Sequence, residues 1–341
     1  MAYGKVWPAH PKPFPDELLS SWIVRVAQAN AIKLQTLSWM LFGNERSPWN
    51  RDIDRSAPPW LLKELALHTG TNYWEVFHTT LATYRQRLYP RRRLSGQLPW
   101  ISTIHTYGMQ RRGHGQLLCP QCLATDRIPY FRKQWRLALF TYCPIHQVRM
   151  VDSCQNCGAS VMHYRGDFGR TIQEARPMHV CHGCGHDYAG MGGEKAEFSS
   201  AEVHRLFDDV LISLSGPIKQ AGKFDLGFFS VLHQLCSILV SLSNRGRLEQ
   251  FICRRLGTQF VPRTRVRLPI EGYSLNDRHH LIQYGLWLMG SLALRLGDAW
   301  TSKAVRYNHL LKDFEDAPTN YRNLVGRYSD WRKMTSPIDK R

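Results

Sequence analysis

The apolar positions near the start of the chain recur every three or four residues, which is the spacing of an amphipathic helix. Leu19, Trp22 and Val26 fall on one face of such a helix. Pro15 and Asp16 precede the run, and Asp16 is predicted to cap it because aspartate is a favoured N-terminal capping residue. The predicted helices of this segment are 16–30, 34–42, 60–69 and 72–82.

The pattern after about Ser199 is also helical, up to the last residues of the chain. Ser274 is predicted to cap one of these helices, and Pro318 opens the last one. Cys236 and Cys253 lie in apolar helical stretches and are interpreted as buried thiols. The final two helices form either a second helix-turn-helix or a surface for a protein partner. The predicted helices are 200–214, 227–243, 246–256, 275–297, 300–314 and 319–332.

The helices 60–69 and 72–82 form a candidate helix-turn-helix. The short turn Thr69-Gly70-Thr71 holds a glycine, as in that motif, and Thr71 is predicted to cap the second helix. Two interpretations stay open, recognition of a DNA groove and a purely structural helix pair. The first turns of the second helix carry Asn72, Tyr73, Trp74 and Glu75, with no Arg or Lys to pair with guanine, which argues against base reading.

Eight Cys and His residues form four close pairs between positions 119 and 184. Two residues separate the members of each pair, a spacing that lets one tight turn offer two ligands to zinc. Neighbouring pairs predict two tandem zinc ribbons, whereas alternate pairs would give a cross-braced site. A disulfide framework is the competing interpretation, although a chain of 341 residues does not need such crosslinks. Each set supplies all four ligands of a tetrahedral structural Zn²⁺ ion, so two ions are predicted. The sets are Cys119, Cys122, Cys143 and His146, and Cys154, Cys157, Cys181 and Cys184.

The predicted fold class is mainly α with small zinc ribbons. The expected domains are an N-terminal helix-turn-helix-like helical domain (1–95), a linker with two zinc-ribbon modules (96–196) and a C-terminal helical domain (197–341). The residues Tyr130, Phe131, Trp135 and Leu137 between the first two pairs form either a local core or a platform on which bases stack.

The chain has a formal net charge of +18, and each of the three segments has an excess of basic residues. This balance favours a polyanionic partner, with nucleic acid first among the candidates. An arginine-rich stretch after the second helix pair has two interpretations, phosphate contact or a solvated linker. The candidate nucleic-acid-binding residues are Arg85, Arg87, Arg91, Arg92, Arg93, Arg111 and Arg112.

Motifs for catalysis and for membrane insertion are missing from the sequence. No metalloprotease, serine hydrolase or kinase motif occurs, and no pair of acids is placed to share a metal. No apolar run reaches the roughly 18–20 residues that a membrane span needs, and the first residues lack the apolar core of a secretory signal. We therefore expect a cytoplasmic protein without a catalytic site.

The order of the motifs is itself distinctive. The stretch 13–22 reads PFPDELLSSW and is followed by Arg25; CPxCL then occupies 119–123, and PYFR occupies 129–132. CPxH follows at 143–146, and two CxxCG motifs begin at Cys154 and Cys181. Over about residues 1–190 this pattern resembles the TniQ/TnsD family of transposon target-selection proteins.

The resemblance implies a function that spacing does not reveal. Members of the family mark the target site and recruit an AAA+ ATPase regulator, which admits the transposase. Longer members read a DNA site directly, whereas shorter members in CRISPR-associated transposons resemble dimers bound to an RNA-guided Cascade complex. The expectation is a bacterial, homodimeric, non-enzymatic adaptor between the ATPase and a DNA or RNA–DNA complex. The alternatives are a direct sequence-specific DNA-binding protein and, third, a nucleic-acid enzyme.

Overall fold

The chain is mainly α-helical in a computed structural model, which describes residues 6–43, 49, 52–91, 96–104, 106–107, 110–111, 115–215, 222–262 and 268–328. The chain divides into two compact units. The N-terminal unit holds residues 1–196 with 214–218, and the C-terminal unit holds 197–213 with 219–341. The predicted fold class is confirmed, because helices dominate and two ligand clusters are present. The finer division into three domains stays a prediction.

The described helices and strands are short. Two antiparallel hairpins pair β1 with β2 and β3 with β4. The strands are β1 Thr106–Tyr107, β2 Gln110–Arg111, β3 Tyr142–Cys143 and β4 Val148–Arg149. The helices are α1 Leu19–Ala29, α2 Leu34–Phe42, α3 Ile53–Ser56, α4 Pro59–Thr69, α5 Tyr73–His78, α6 Pro120–Thr125, α7 Ala201–Ser215, α8 Leu226–Val240, α9 Arg247–Leu256, α10 Leu275–Gly290, α11 Leu292–Thr301, α12 Tyr307–Leu310 and α13 Thr319–Val325. Short 3₁₀ helices occur at Leu81–Tyr84, Lys133–Arg136, His163–Arg165 and Ile270–Gly272.

Two predicted helix caps in the N-terminal unit are wrong. Helix α1 begins at Leu19, and Asp16 does not cap it. Asp16 instead accepts a 2.8 Å hydrogen bond from the Tyr130 hydroxyl, so its carboxylate serves a tertiary contact. Helix α5 is capped by Asn72, which accepts a hydrogen bond from the backbone N–H of Trp74. Asn72 therefore takes the capping role predicted for Thr71. Helix α5 ends at His78 rather than at the predicted residue 82.

Helices α8 and α10 form the centre of the C-terminal unit. Gly285 permits their close approach, because a Cβ atom there would lie 2.9 Å from Cys236 Sγ. Both cysteines outside the clusters are buried, as predicted; Cys253 Sγ lies 3.4 Å from the Tyr284 hydroxyl. The predicted cap of α10 is confirmed, since Ser274 accepts a hydrogen bond from the backbone N–H of Asp277. These contacts place one apolar core around α8, α9 and α10.

The helix predicted over 275–297 is two helices, α10 and α11, which meet at Ser291. In a continuous helix the carbonyl of Trp287 would accept from the N–H of residue 291. The guanidinium of Arg295 donates to that carbonyl instead, and it also pairs with Glu202 at 2.7 Å. A side chain thus completes the end of α10. Periodicity alone does not reveal this break, because the apolar positions continue through it.

The helix predicted over 300–314 is also wrong. Helix α11 ends at Thr301, and Lys303 adopts a left-handed conformation with φ of 56°. The backbone N–H of Ala304 then donates to the carbonyl of Ala299, a bond that closes a helix C-terminus. Only the single turn α12 follows in this described stretch. Helix α13 ends at Val325, and the predicted residues 329–332 lie outside the described part of the chain.

Candidate metal centres

The first cluster joins a helix N-terminus to a hairpin turn. Cys119 directly precedes α6, and its Sγ accepts a hydrogen bond from the backbone N–H of Cys122 at 3.4 Å. Cys143 ends β3, and His146 lies in the turn toward β4. The four ligand atoms all lie within 4.8 Å of one another. Two local structures that are distant along the chain therefore offer one set of ligands.

The distances in the first cluster fit a tetrahedral ion. Bonds of about 2.3 Å to sulfur and 2.0 Å to nitrogen would separate two sulfurs by about 3.8 Å, and sulfur from nitrogen by about 3.5 Å. Cys122 Sγ lies 3.7 Å from Cys143 Sγ. His146 Nδ1 lies 3.4 Å from Cys122 Sγ and 3.6 Å from Cys143 Sγ. The sulfurs are too far apart for a disulfide, whose bond is about 2.05 Å long, and all nine cysteines are free thiols.

The thiols of the first cluster perturb one another. The hydrogen bond with Cys119 raises the pKa of Cys122, and hydrogen bonds from Cys119 and Cys122 lower the pKa of Cys143 to about 2. Three thiolates this close together require a cation between them, because like charges disfavour ionisation. The cluster can therefore hold one metal ion, which would stabilise the thiolate forms of the three cysteines beside the imidazole of His146.

The second cluster consists of four cysteines from two matching turns. Cys154 Sγ lies 3.6 Å from Cys184 Sγ, and Cys157 Sγ lies 3.7 Å from Cys181 Sγ. These distances also fit a tetrahedral ion with four sulfur ligands. Neighbouring pairs thus share a site, which confirms the tandem arrangement and excludes the cross-braced one in this structure.

Three of the four ligand pairs share one turn geometry. A glycine with positive φ follows Cys157 and Cys184, at Gly158 with 69° and Gly185 with 83°. Gln147, with φ of 56°, takes the same place after His146. In each turn this fourth residue after the first cysteine donates its N–H to that cysteine's carbonyl. The pair Cys119 and Cys122 departs from this pattern because Pro120 starts a helix there.

The two clusters differ in their exposure to solvent. Cys119, Cys122 and Cys143 are buried, and His146 is partly buried. In the second cluster Cys157 and Cys184 are exposed. Arg176 supports the second turn by donating to the carbonyls of Cys181 and His182 at 2.9 and 3.0 Å.

The segment between the first two ligand pairs fastens the N-terminal helices to the first cluster. The backbone N–H of Leu18 donates to the carbonyl of Phe131, whose own N–H donates to the hydroxyl of Ser21. Phe131 and Trp135 are buried, with ring centroids 5.5 Å apart. With Leu137, they form a local core, so of the two interpretations the stacking platform is wrong for these three residues.

A buried ion pair explains part of the distinctive N-terminal motif. Arg25 donates to both carboxylate oxygens of Glu17, at 2.8 and 2.5 Å, and Glu17 is fully buried. The same carboxylate accepts from the hydroxyl of Ser21 and the backbone N–H of Phe14. The Arg25 guanidinium lies 4.2 Å from the centre of the Phe14 ring. The motif therefore encodes a closed polar network within the fold.

A second buried network centres on Arg136, which has no exposed surface. Its guanidinium pairs with Asp52 at 2.5 Å and with Asp54 at 3.2 Å. Asp54 also accepts from the backbone and hydroxyl of Ser20, at 2.8 and 2.9 Å. The Ser20 hydroxyl lies 3.0 Å from Nε2 of His163. The sequence did not predict this network, because Arg136 and its partner Asp54 are separated by 82 positions.

Asp54 makes the stability of the fold depend on pH. Burial raises its pKa to about 6, although Arg136 opposes that shift. Because the folded value exceeds the ordinary one, the stabilising contribution is full below about pH 4 and is lost as the pH rises through 6. The prediction concerns the difference in free energy of unfolding between the wild type and Asp54→Asn. We expect this difference to fall by about 1 kcal/mol between pH 5 and 7.

Urea unfolding of both metal-loaded proteins measures this difference. Effects of pH on the metal ligands are common to both proteins and cancel in the subtraction. A difference that is constant over this range, or that grows with pH, would contradict the assignment.

The structure describes only part of the predicted nucleic-acid-binding set. Arg85 and Arg91 are exposed, whereas Arg87 is half-buried. Burial lowers the pKa of Arg87, and the neighbouring Tyr84 opposes that shift. Phosphate contact by these three arginines stays a prediction. Arg92, Arg93, Arg112 and the side chain of Arg111 lie outside the described residues.

Helices α4 and α5 form the predicted helix pair. Gly70 ends α4 in a left-handed conformation with φ of 57°. The start of α5 exposes Asn72, Glu75 and Trp74, and 63% of Trp74 is accessible to solvent. The Trp74 ring meets those of Tyr73 and Phe77 edge-on, with centroids 5.5 and 5.8 Å away. The surface of α5 is thus aromatic and acidic, and its use in DNA binding stays untested.

These features define a class of protein, a mainly helical scaffold with two closed four-ligand clusters that can each hold a metal ion. Residues 8–150 match the TniQ family, and the chain therefore carries a TniQ domain, as the motifs predicted. The match covers α1 to α6 and the whole first cluster, whereas the second cluster lies beyond it. No curated protein matches the chain. A TniQ domain implies a part in target selection during DNA transposition, and the family is one of non-catalytic adaptors.

Within the described residues, no helix combines the length and the apolar character that crossing a bilayer requires.

Proposed function

We propose that the chain is a non-enzymatic adaptor for target-site selection. It would connect a complex bound at the target DNA, an RNA-guided CRISPR Cascade, to the AAA+ ATPase regulator and thereby to the transposase. The TniQ domain over 8–150 is the observation that carries the proposal. The CRISPR connection rests on the resemblance to short family members.

The form of the clusters supports a scaffolding role. Each cluster has four protein ligands, which leave no position for a catalytic water on a tetrahedral ion. We assign both clusters to structural Zn²⁺, because three thiolates with one imidazole, or four thiolates, are the ligand sets that zinc prefers. The first ion would hold the segment that carries Phe131 against α1.

The surface of α5 supports an adaptor over a direct reader of DNA sequence. Specific contacts to guanine come mainly from Arg or Lys, and those to adenine from Asn or Gln. Asn72 is exposed at the start of α5, but its Oδ1 already accepts the backbone N–H of Trp74 as the helix cap. The first turn also exposes Trp74 and Glu75, an aromatic and an acidic side chain. Exposed tryptophan is typical of protein interfaces. The direct reader is the second candidate because α4 and α5 are arranged as a helix pair with a glycine turn.

Binding to a randomised DNA pool separates the two candidates. We expect the zinc-loaded full-length protein to bind weakly, with strong dependence on salt and without enrichment of any sequence, because the target is chosen by another complex. The measurement is sequencing of the bound fraction at physiological salt. Enrichment of one site by ~10³ or more over bulk DNA would support the direct reader and overturn the adaptor.

The proposal includes a homodimer bound to Cascade, again from the resemblance. Native mass measurement of the chain mixed with a purified Cascade checks this part. A complex that contains two copies of the chain would support it. Absence of any association would remove this partner from the proposal but leave the TniQ domain assignment intact.

A further inference from the structure

A basic groove lies on the C-terminal unit, outside the TniQ domain. Its volume is about 310 Å³, and it lies between α9 and the turn that follows α11. Four cations line it, and no Asp or Glu is among its described lining residues. The cations are Arg247, Arg254, Arg255 and Lys303, accompanied by Gln250 and Ser302.

Helix α9 presents a row of hydrogen-bond donors to the groove. Arg247, Gln250 and Arg254 recur at i, i+3 and i+7, so they share one helix face over a length of about 10 Å. The opposite face is anchored in the core by Leu248 and Ile252, which have no exposed surface. The three donor side chains therefore lie on a helix whose position is fixed by its buried face.

The two walls of the groove are tied together. The side chain of Asn244, which is 2% exposed, donates to the carbonyl of Ala304 at 3.0 Å. The side-chain oxygen Oδ1 of Asn244 accepts from the backbone N–H of Leu248 at 3.0 Å. Arg255 is oriented by Asp298, 3.2 Å away, and by the ring of Phe251, 5.4 Å from its guanidinium carbon. The groove is thus preformed.

Positive charge continues past one end of the groove. Burial lowers the pKa of His309, and the charges of Arg306, Lys312 and Arg247 lower it further. Arg306 and Lys312 therefore lie near His309 together with Arg247, and of these three cations Arg247 lines the groove. Such a concentration of one sign of charge attracts an extended anion more than a small one.

We propose that this groove binds the phosphodiester backbone of nucleic acid. Guanidinium groups match phosphate oxygens in two-point hydrogen bonds, and the Gln250 amide can donate to a phosphate between two arginines. The excess of positive charge over the whole chain favours the same partner. The site goes beyond the adaptor function because it gives the C-terminal unit a contact of its own, whatever complex the TniQ domain serves.

The test compares two variants that carry the same loss of charge. In the first, Arg247→Gln, Arg254→Gln and Lys303→Gln neutralise the groove. In the control, Arg205→Gln, Lys223→Gln and Arg327→Gln remove three exposed cations of the same unit outside the groove. Fluorescence anisotropy measures the affinity of each full-length, zinc-loaded protein for random-sequence duplex DNA and duplex RNA between 50 and 200 mM salt.

Loss of three phosphate contacts should reduce the slope of log affinity against log salt by about 2–3 units. We expect this reduction only for the groove variant. A loss with DNA alone, or with RNA alone, supports the proposal and identifies the nucleic acid. Equal slopes for groove variant and wild type, or equal reductions in both triple variants, would overturn it.

Two further measurements keep the result interpretable. Arg247→Lys with Arg254→Lys preserves the charge and should keep the wild-type slope, even if the glutamine variant is unstable. Vesicles that contain phosphatidylserine test the other anionic surface; a groove effect on vesicles without one on nucleic acid contradicts the proposal. The experiment locates backbone contacts, whereas the randomised pool tests sequence selection, so each inference can fail without the other.

Discussion

Replacing Cys119 with serine is expected to unfold the N-terminal unit around the first cluster and to leave one bound metal ion per chain instead of two. Cys119 is fully buried, and serine does not supply the thiolate that the ion needs. Binding of a structural zinc ion contributes on the order of 10 kcal/mol to folding. A loss of this size is comparable to the whole stability of a domain, about 5–15 kcal/mol.

The effect should reach beyond the ligands. The segment after Cys122 carries Phe131, which bonds the start of α1 through Leu18 and Ser21. Without the ion this segment loses its anchor, so α1 loses partners as well. Zinc release measured with a colorimetric chelator, together with thermal unfolding, reports both consequences.

Cys253→Ser is the matched control because it changes a buried cysteine that belongs to neither cluster. Its hydroxyl can still bond the side chain of Tyr284, so we expect two ions per chain and a loss within the ordinary range of about 0.5–3 kcal/mol. A Cys119→Ser protein with two ions and an unchanged thermal midpoint would remove the assignment of the first cluster.

Arg136→Met is expected to lower the free energy of unfolding by about 3–5 kcal/mol. The guanidinium is buried against Asp52 and Asp54, and it also donates to the carbonyls of Ser102 and Gly115 at 3.0 and 3.2 Å. Methionine fills much of the volume but leaves two neighbouring carboxylates without a counter-charge. Removal of one partner from a buried ion pair is far more costly than replacement of all partners together.

Urea unfolding at pH 7 gives the magnitude. Arg127→Met changes an exposed arginine in the same segment and should alter stability by no more than about 0.5 kcal/mol. Adding Asp52→Asn and Asp54→Asn to Arg136→Met should recover part of the loss, because no buried charge then remains. If Arg136→Met and Arg127→Met were equally stable, the ionic role of Arg136 would be wrong.

The two four-residue clusters could be predicted from the sequence because the constraint on each pair is local. Two residues between Cys143 and His146 suffice to define a turn, and the following positive-φ residue is a glycine in the second cluster. Helix α2 also agrees with its predicted bounds of 34–42, since its propensity and its periodicity point to the same conclusion. Local rules suffice where neighbours in sequence are also the partners in space.

The buried charges could not be predicted in this way. Glu17, Asp54 and Arg136 would each be expected on the surface, because charged residues are rarely buried without partners. Asp54 and Arg136 are separated by 82 positions, so no local pattern joins them. Glu17 meets Arg25 only 8 positions away, but this spacing does not mark the pair as buried. The break at Ser291 has the same cause, since Arg295 and Glu202 meet there from different helices. Tertiary contacts override the local pattern at each of these sites.

The long-range bonds of α1 have a consequence during synthesis of the chain. The hydroxyl of Ser21 accepts from the N–H of Phe131, which is made 110 residues later. The hydroxyl of Ser20 contacts the ring of His163, which is made 143 residues later. At about 5–20 residues per second, the ribosome needs on the order of 10 s to supply them. Throughout that interval the newly made N-terminal helices lack the surface on which they rest. Binding of a first ion would require His146, and the contact of Ser20 requires His163 as well. The beginning of the protein can therefore complete its contacts only after both residues have been synthesised.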